Sequence, residues 1–169
     1  MAETLTATVT IKEVSNLVGD ASELSTISSK LNDTQTITFA NGTAANQANQ
    51  RFDDTRSVNA SSTDSLDLAG GLTNAFGTTL TFTSIKYIRI SAASTNGDNL
   101  EVGGNANAFG TIFGDDTDKI IIPPGGHFVL SNPAATGFVV TASTGDVLDI
   151  ANADSGAAAS YDIVIIGEV

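Results

Sequence analysis

The chain has 169 residues, no cysteine and a formal net charge of −12 at neutral pH. That length suits one compact domain able to fold without staples, and the absence of thiols excludes disulfides and thiolate metal sites. The acidic balance argues against nucleic acid and anionic membranes as partners, and no apolar run approaches the ~20 residues of a spanning helix.

The opening MAETLTATVT has neither a basic start nor an apolar run, so it does not read as a secretory signal. Within it, Leu5, Ala7, Val9 and Ile11 alternate with threonines, the period of a half-buried strand. In GDASELSTISSKLND, Asp20 and Glu23 have capping-box spacing, and Leu24, Ile27 and Leu31 would share a helical face; a short helix is expected here. TQTITFA returns to strand alternation through Ile37 and Phe39. Asn41 to Gln50 shows no apolar period and reads as a long surface loop. In FDDTR, Arg56 stands beside Asp53 and Asp54, a spacing that allows a local arginine–carboxylate pair to pin this segment.

The phrase GGLTNAFGT at Gly70–Thr78 returns as GGNANAFGT at Gly103–Thr111. Its left flank, DSLDLAGG, matches DNLEVGG, and DVLDIA at Asp146 is a third version. In each, two apolar residues flank an acidic one: Leu66 and Leu68, Leu100 and Val102, Leu148 and Ile150. They would face one side of a strand, with Asp67, Glu101 and Asp149 facing the other. Those three are either metal ligands or solvent-facing spacers, and the spacer reading is preferred. The repeat is therefore expected to be a strand–turn–anchor device, with Phe76 and Phe109 driven into the core.

TLTFTSIKYIRI supplies further strand, and DKIIIPPGGHFVL gives two strands around a type II turn centred on Pro124-Gly125. GFVVTAS, DVLDIA and YDIVIIGEV complete about nine or ten strands, the spacing of an all-β sandwich or barrel. Candidate chemistry is sparse. The single histidine, His127, lies in PPGGHFVL, which is similar to the proline–glycine–histidine strand of cupin enzymes, but those hold their metal with several histidines. Asp115, Asp116 and Asp118 could attract Ca²⁺, yet lack the register of an EF-hand loop and read as an acidic turn. No nucleophile elbow, phosphate loop or zinc motif is present, so no catalytic, cofactor or metal residue is assigned.

From Phe39 to Gly167, the order of DTR, LDLAGGLTNAFG, FGD, IPPGG and YDIVIIG resembles small structural proteins of tailed bacteriophages and prophages, the capsid cement or decoration proteins. The resemblance implies a jelly-roll antiparallel β-sandwich of about 8–10 strands over residues 34–169, preceded by an arm over residues 1–33 carrying a strand and a short helix. It further implies a virion protein without enzymatic activity, made in the bacterial cytoplasm and bound to the capsid exterior. There it would contact the major capsid protein and copies of itself, as a homotrimer in preference to a dimer, without nucleic acid or membrane. The alternative is a head-fibre or tail-associated module that binds a receptor glycan.

Overall fold

A computed structural model describes residues 3–19, 27–153 and 156–169. Its strands, in chain order, begin with β1 (Ala7–Val18), β2 (Ser28–Asn41), β3 (Gln47–Ala48), β4 (Gln50–Val58) and β5 (Thr63–Asp67). There follow β6 (Leu72–Thr73), β7 (Thr79–Leu80), β8 (Ser84–Ala92), β9 (Leu100–Gly103) and β10 (Lys119–Ile122). The last are β11 (His127–Ser131), β12 (Phe138–Val139), β13 (Val147–Asn152) and β14 (Ala159–Glu168). The fold is all-β, with several antiparallel sheets consistent with a β-sandwich.

One sheet has the order β10-β9-β13-β5 and the other β11-β8-β14-β4, with β12 added beside β8. The eight strands of these two sheets' main paths pair in a nested way: β4 with β14, β5 with β13, β8 with β11, and β9 with β10. Apolar residues from both sheets meet in one core that includes Phe52, Leu66, Ile88, Ile90, Leu100, Leu148, Ile163 and Ile165. Most come from strands whose alternate residues are largely apolar, so pleating sends one row inward; in β4 the row of Phe52 also carries Asp54 and Arg56. Burying a side chain of this size contributes about 1.5–3 kcal/mol relative to exposure.

The three DxL[DE] phrases become β5, β9 and β13, adjacent strands of one sheet. Leu66 lies opposite Leu148 and Val102 opposite Ile150, so the shared spelling builds one continuous apolar face. The PPGG turn is type II: Gly125 has φ +75°, and the Gly126 N–H donates to the Pro123 carbonyl at 2.8 Å.

Three expectations need correction. Leu31, expected on a helix, lies on strand β2, paired with Ser15; the expected helical residues 20–26 lie outside the described residues. Ser, Thr and Ile tolerate strand at least as well as helix, and pairing with β1 decides between them. The segment Asn41–Gln50 is not a free loop. Ala48 is fully buried, β3 pairs in parallel with the end of β2, and the Asn46 N–H donates to the Pro133 carbonyl at 2.8 Å. The third correction concerns Phe76. Phe109 is fully buried, but Phe76 is 83% exposed.

Candidate functional site

Most chemistry-bearing side chains are committed to holding the fold. Arg56 on β4 donates to Asp64 on β5 through Nε at 2.6 Å and Nη2 at 2.9 Å, and reaches Asp54 through Nη1 at 3.0 Å. The buried Tyr161 hydroxyl donates to the same Asp64 carboxylate at 2.8 Å. Because β4 and β5 are edge strands of different sheets, this cluster closes one open side of the sandwich. The Arg56 guanidinium holds the Asp64 carboxyl below its ordinary range, while burial, followed by the bond to Asp64, pushes the Tyr161 phenol up. The arginine–carboxylate pair expected within FDDTR is present, though on a strand, and Asp64 adds the longer-range contact that local spacing could not show.

Lys86 is a second internal clamp, and nothing in the sequence singled it out. Its side chain is fully buried, with Nζ 2.8 Å from Glu168 Oε1 and 2.8 Å from the Ala134 carbonyl, and it also donates to Ala135 O. One cation thereby joins the last strand to the turn over residues 132–137.

The other sequence candidates are dispersed. Asp67 is exposed, Glu101 pairs with Lys119 at 2.8 Å, and Asp149 accepts from Asn105 Nδ2 at 2.8 Å. Strand register sets them opposite Val147, Ala151 and Ser65 respectively, which keeps them from converging. Asp115 folds back on Thr117, accepting its N–H at 2.9 Å and its hydroxyl at 2.7 Å, so the GDDTD segment is a self-bonded turn. His127 is exposed at the start of β11, opposite Ser91. Among the described residues no group of histidines or carboxylates is arranged to hold a metal ion.

Two surface features stand apart. The first is the ribbon of β1 and β2, antiparallel through twelve pairs from Ala7↔Phe39 to Val18↔Ser28 and extended by the bond from Gly19 N–H to Ile27 O. Its base is anchored: Ala7, Val9, Ile37 and Phe39 pack with Tyr87 and Ile166 on the outer face of the β8–β14 sheet. Beyond Ile11 it leaves the body, yet it still carries large apolar side chains. Ile11, Val14, Leu17, Val18, Ile27 and Leu31 are six of the eleven large apolar side chains exposed among the described residues. A contiguous run of this kind marks an interaction surface more often than scattered single side chains do.

The second feature is the tip of the β6–β7 hairpin, where Phe76 stands out into solvent on a rigid turn. The Asn74 side chain fixes it, with Oδ1 accepting from Phe76 N–H and Thr78 N–H at 3.0 Å each. Asn74 Nδ2 in turn donates to Glu3 Oε2 at 2.6 Å, and Thr78 Oγ1 donates to Glu3 Oε1 at 2.8 Å. These bonds, led by one from Gln50, hold the Glu3 carboxyl below its ordinary range. A groove of about 680 Å³ runs past Glu3, Leu5, Gln50, Arg51 and Phe76. The second copy of the phrase does the reverse with its phenylalanine. Asn105 and Ala106 replace Leu72 and Thr73, so no hairpin forms; the segment lies along β13 through Phe109 N–H to Val147 O at 2.8 Å.

Neither family models, nor curated proteins, nor solved structures match this chain.

Proposed function

We propose that the protein is a capsid decoration protein of a tailed bacteriophage, bound to the outside of the coat-protein shell and bracing contacts between capsomers. The observation that carries the reading is the β1–β2 ribbon: a long arm with exposed apolar side chains on both faces, projecting from an acidic sandwich whose polar groups are largely used internally. A protein that works by contact needs a rigid body and an exposed adhesive element, and it needs no reaction centre. We therefore assign no catalytic residue. The nested strand pairing supports a jelly-roll sandwich, since first-to-last, second-to-seventh, third-to-sixth and fourth-to-fifth pairing is what wrapping a long hairpin into two sheets produces. Contacts of modest strength suffice when symmetry repeats them over a shell.

The test has two parts. Calibrated mass spectrometry of purified virions should give a ratio to the major capsid protein near one or a simple fraction of it. Replacing residues 11–35 by an Asn-Gly turn should leave the sandwich folded by circular dichroism and weaken binding to isolated shells at least tenfold. A few copies per virion, or none, would sink the reading, as would unchanged shell binding by the shortened protein.

The exposed Phe76 beside the groove favours one rival, a tail- or fibre-associated module that stacks a sugar ring on the phenyl face. Low copy number together with a glycan-array signal abolished by Phe76→Ala would replace the first reading with this one.

A further inference from the structure

Alternation along β8 sends Ile88 and Ile90 into the core and turns Arg89 and Ser91 onto the outer face of the β11-β8-β14-β4 sheet. Register then builds two rows across that face. His127, Ser91, Asp162 and Thr55 form one, and Val129, Arg89, Val164 and Asp53 form the other. Val164 packs against the base of the ribbon, so its neighbour Arg89 stands at the ribbon's foot.

The carboxylates of the two rows are already engaged. Asp53 is held by Arg51 at 2.7 Å, and Asp162 accepts the Thr55 hydroxyl at 2.7 Å. Arg56, Lys86 and Lys119 each hold a carboxylate as well. Arg89 holds none among the described residues, in a chain with 19 acidic residues and only 7 basic ones. Its Nε is buried without a hydrogen-bond partner, and so is Ser91 Oγ. Buried polar atoms are seldom left unpaired, so two orphans on the same face of one strand mark a place that a ligand completes.

We infer that this face binds an acidic saccharide, a sugar ring bearing one carboxylate, at Arg89, Ser91, His127 and Asp162. The guanidinium takes the carboxylate, because its planar fork matches two carboxylate oxygens. Ser91 lies two residues further along β8, about 6.6 Å at strand rise, with His127 and Asp162 each about 4.8 Å to either side. Those steps have the scale of one sugar ring. Its hydroxyls donate to Asp162 and exchange hydrogen bonds with Ser91 and His127. The exposed Val129, opposite Arg89, meets the ring's C–H face.

The same neighbours select against other anions. Asp162 repels a phosphate dianion, and the net charge of −12 adds to that repulsion. An acidic peptide side chain brings a carboxylate but no hydroxyl for Asp162, whereas a sugar acid supplies both. None of these four residues lines the groove beside Phe76, and the site does not rest on the capsid reading, so each can fail alone.

The test is a heteronuclear NMR titration of the full chain with a glucuronate-containing tetrasaccharide, repeated after its carboxyl groups are reduced to alcohols. The amide signals of Arg89, Ser91 and His127 should move with the first, and reduction should weaken binding at least tenfold, a comparison that needs no variant. Arg89→Gln, with unchanged circular dichroism, should also bind at least tenfold more weakly, while Phe76→Ala should bind as the wild type does. Asp162→Ala separates a sugar site from a bare anion site: losing the hydroxyl acceptor weakens binding, whereas relief of repulsion alone tightens it. The inference is overturned by an absence of shifts at millimolar sugar, by equal binding of the reduced sugar, or by an Arg89→Gln variant that binds normally. Tighter binding by Asp162→Ala, weaker binding by Phe76→Ala, or a glutamate-rich peptide that binds as well as the tetrasaccharide overturns it too.

Discussion

Replacing Lys86 by methionine tests whether the buried cation is structural. Methionine fills much of the same space but offers Glu168 no charge and the Ala134 and Ala135 carbonyls no donor. Glu168 is left with a side chain 11% exposed, a carboxylate largely cut off from water. Removing one partner of such a pair costs about 3–5 kcal/mol, because the remaining charge keeps its desolvation penalty and loses its compensation. For a chain of this size that corresponds to a drop of roughly 6–20 °C in melting temperature. Urea unfolding followed by circular dichroism, extrapolated linearly to water, measures it. The companion variant, Lys86→Met with Glu168→Leu, removes both charges and should be more stable than Lys86→Met alone. A loss below about 1 kcal/mol for the single variant, or a double variant no better than it, would mean that water or local rearrangement already solvates Glu168.

Two further outcomes follow from the same structure. Phe109→Ala should cost about 3–5 kcal/mol by opening a cavity in the core, whereas Phe76→Ala should stay within about 0.5 kcal/mol, since its ring touches mainly solvent; equal losses in chemical denaturation would contradict the opposite placements. Asp64 has a folded-state carboxyl pKa below its unfolded value, chiefly through the bond from Arg56. Its contribution is complete above the ordinary carboxylate range near pH ~4 and is lost as pH falls through the lowered folded value. The stability gap between wild type and Asp64→Asn should accordingly be widest near neutrality and shrink in acid, and a gap that widened in acid would reverse the sign.

Much of the sandwich was legible because its signal is periodic. Leu66, Leu100 and Leu148 each begin an apolar–acidic–apolar triplet, and all three lie at or below 1% exposure. The PPGG turn was readable for a different reason: proline and glycine restrict backbone angles wherever they occur. The outer end of β2 was not readable, because Leu24, Ile27 and Leu31 have helical spacing. Pairing with residues 15–18 makes residues 28–31 strand, and such pairing is a long-range fact. Lys86 was hidden for a similar reason. A lysine amid TSIKYIRI satisfies strand alternation as an outward residue, and its three acceptors come from positions 48, 49 and 82 residues away.

The twice-written phrase shows how little sequence separates a structural role from an exposed one. Asn74 and Asn107 occupy equivalent places, and each is followed by Ala-Phe-Gly-Thr. Leu72 is buried, and with Leu80 it closes a hairpin that throws Phe76 outward; Asn105 instead accepts the Asn107 N–H at 2.9 Å and ties itself to Asp149. The exchange of Leu72-Thr73 for Asn105-Ala106 thus accompanies the divergence of two identical phenylalanines, one buried in the core and one standing in solvent. A phenyl ring exposed in water contributes nothing to folding, yet here one carboxylate and two amide side chains hold its turn in a fixed shape. That rigidity lowers the ordering cost of any contact the ring makes, which is the advantage a preorganised anchor has over a flexible loop.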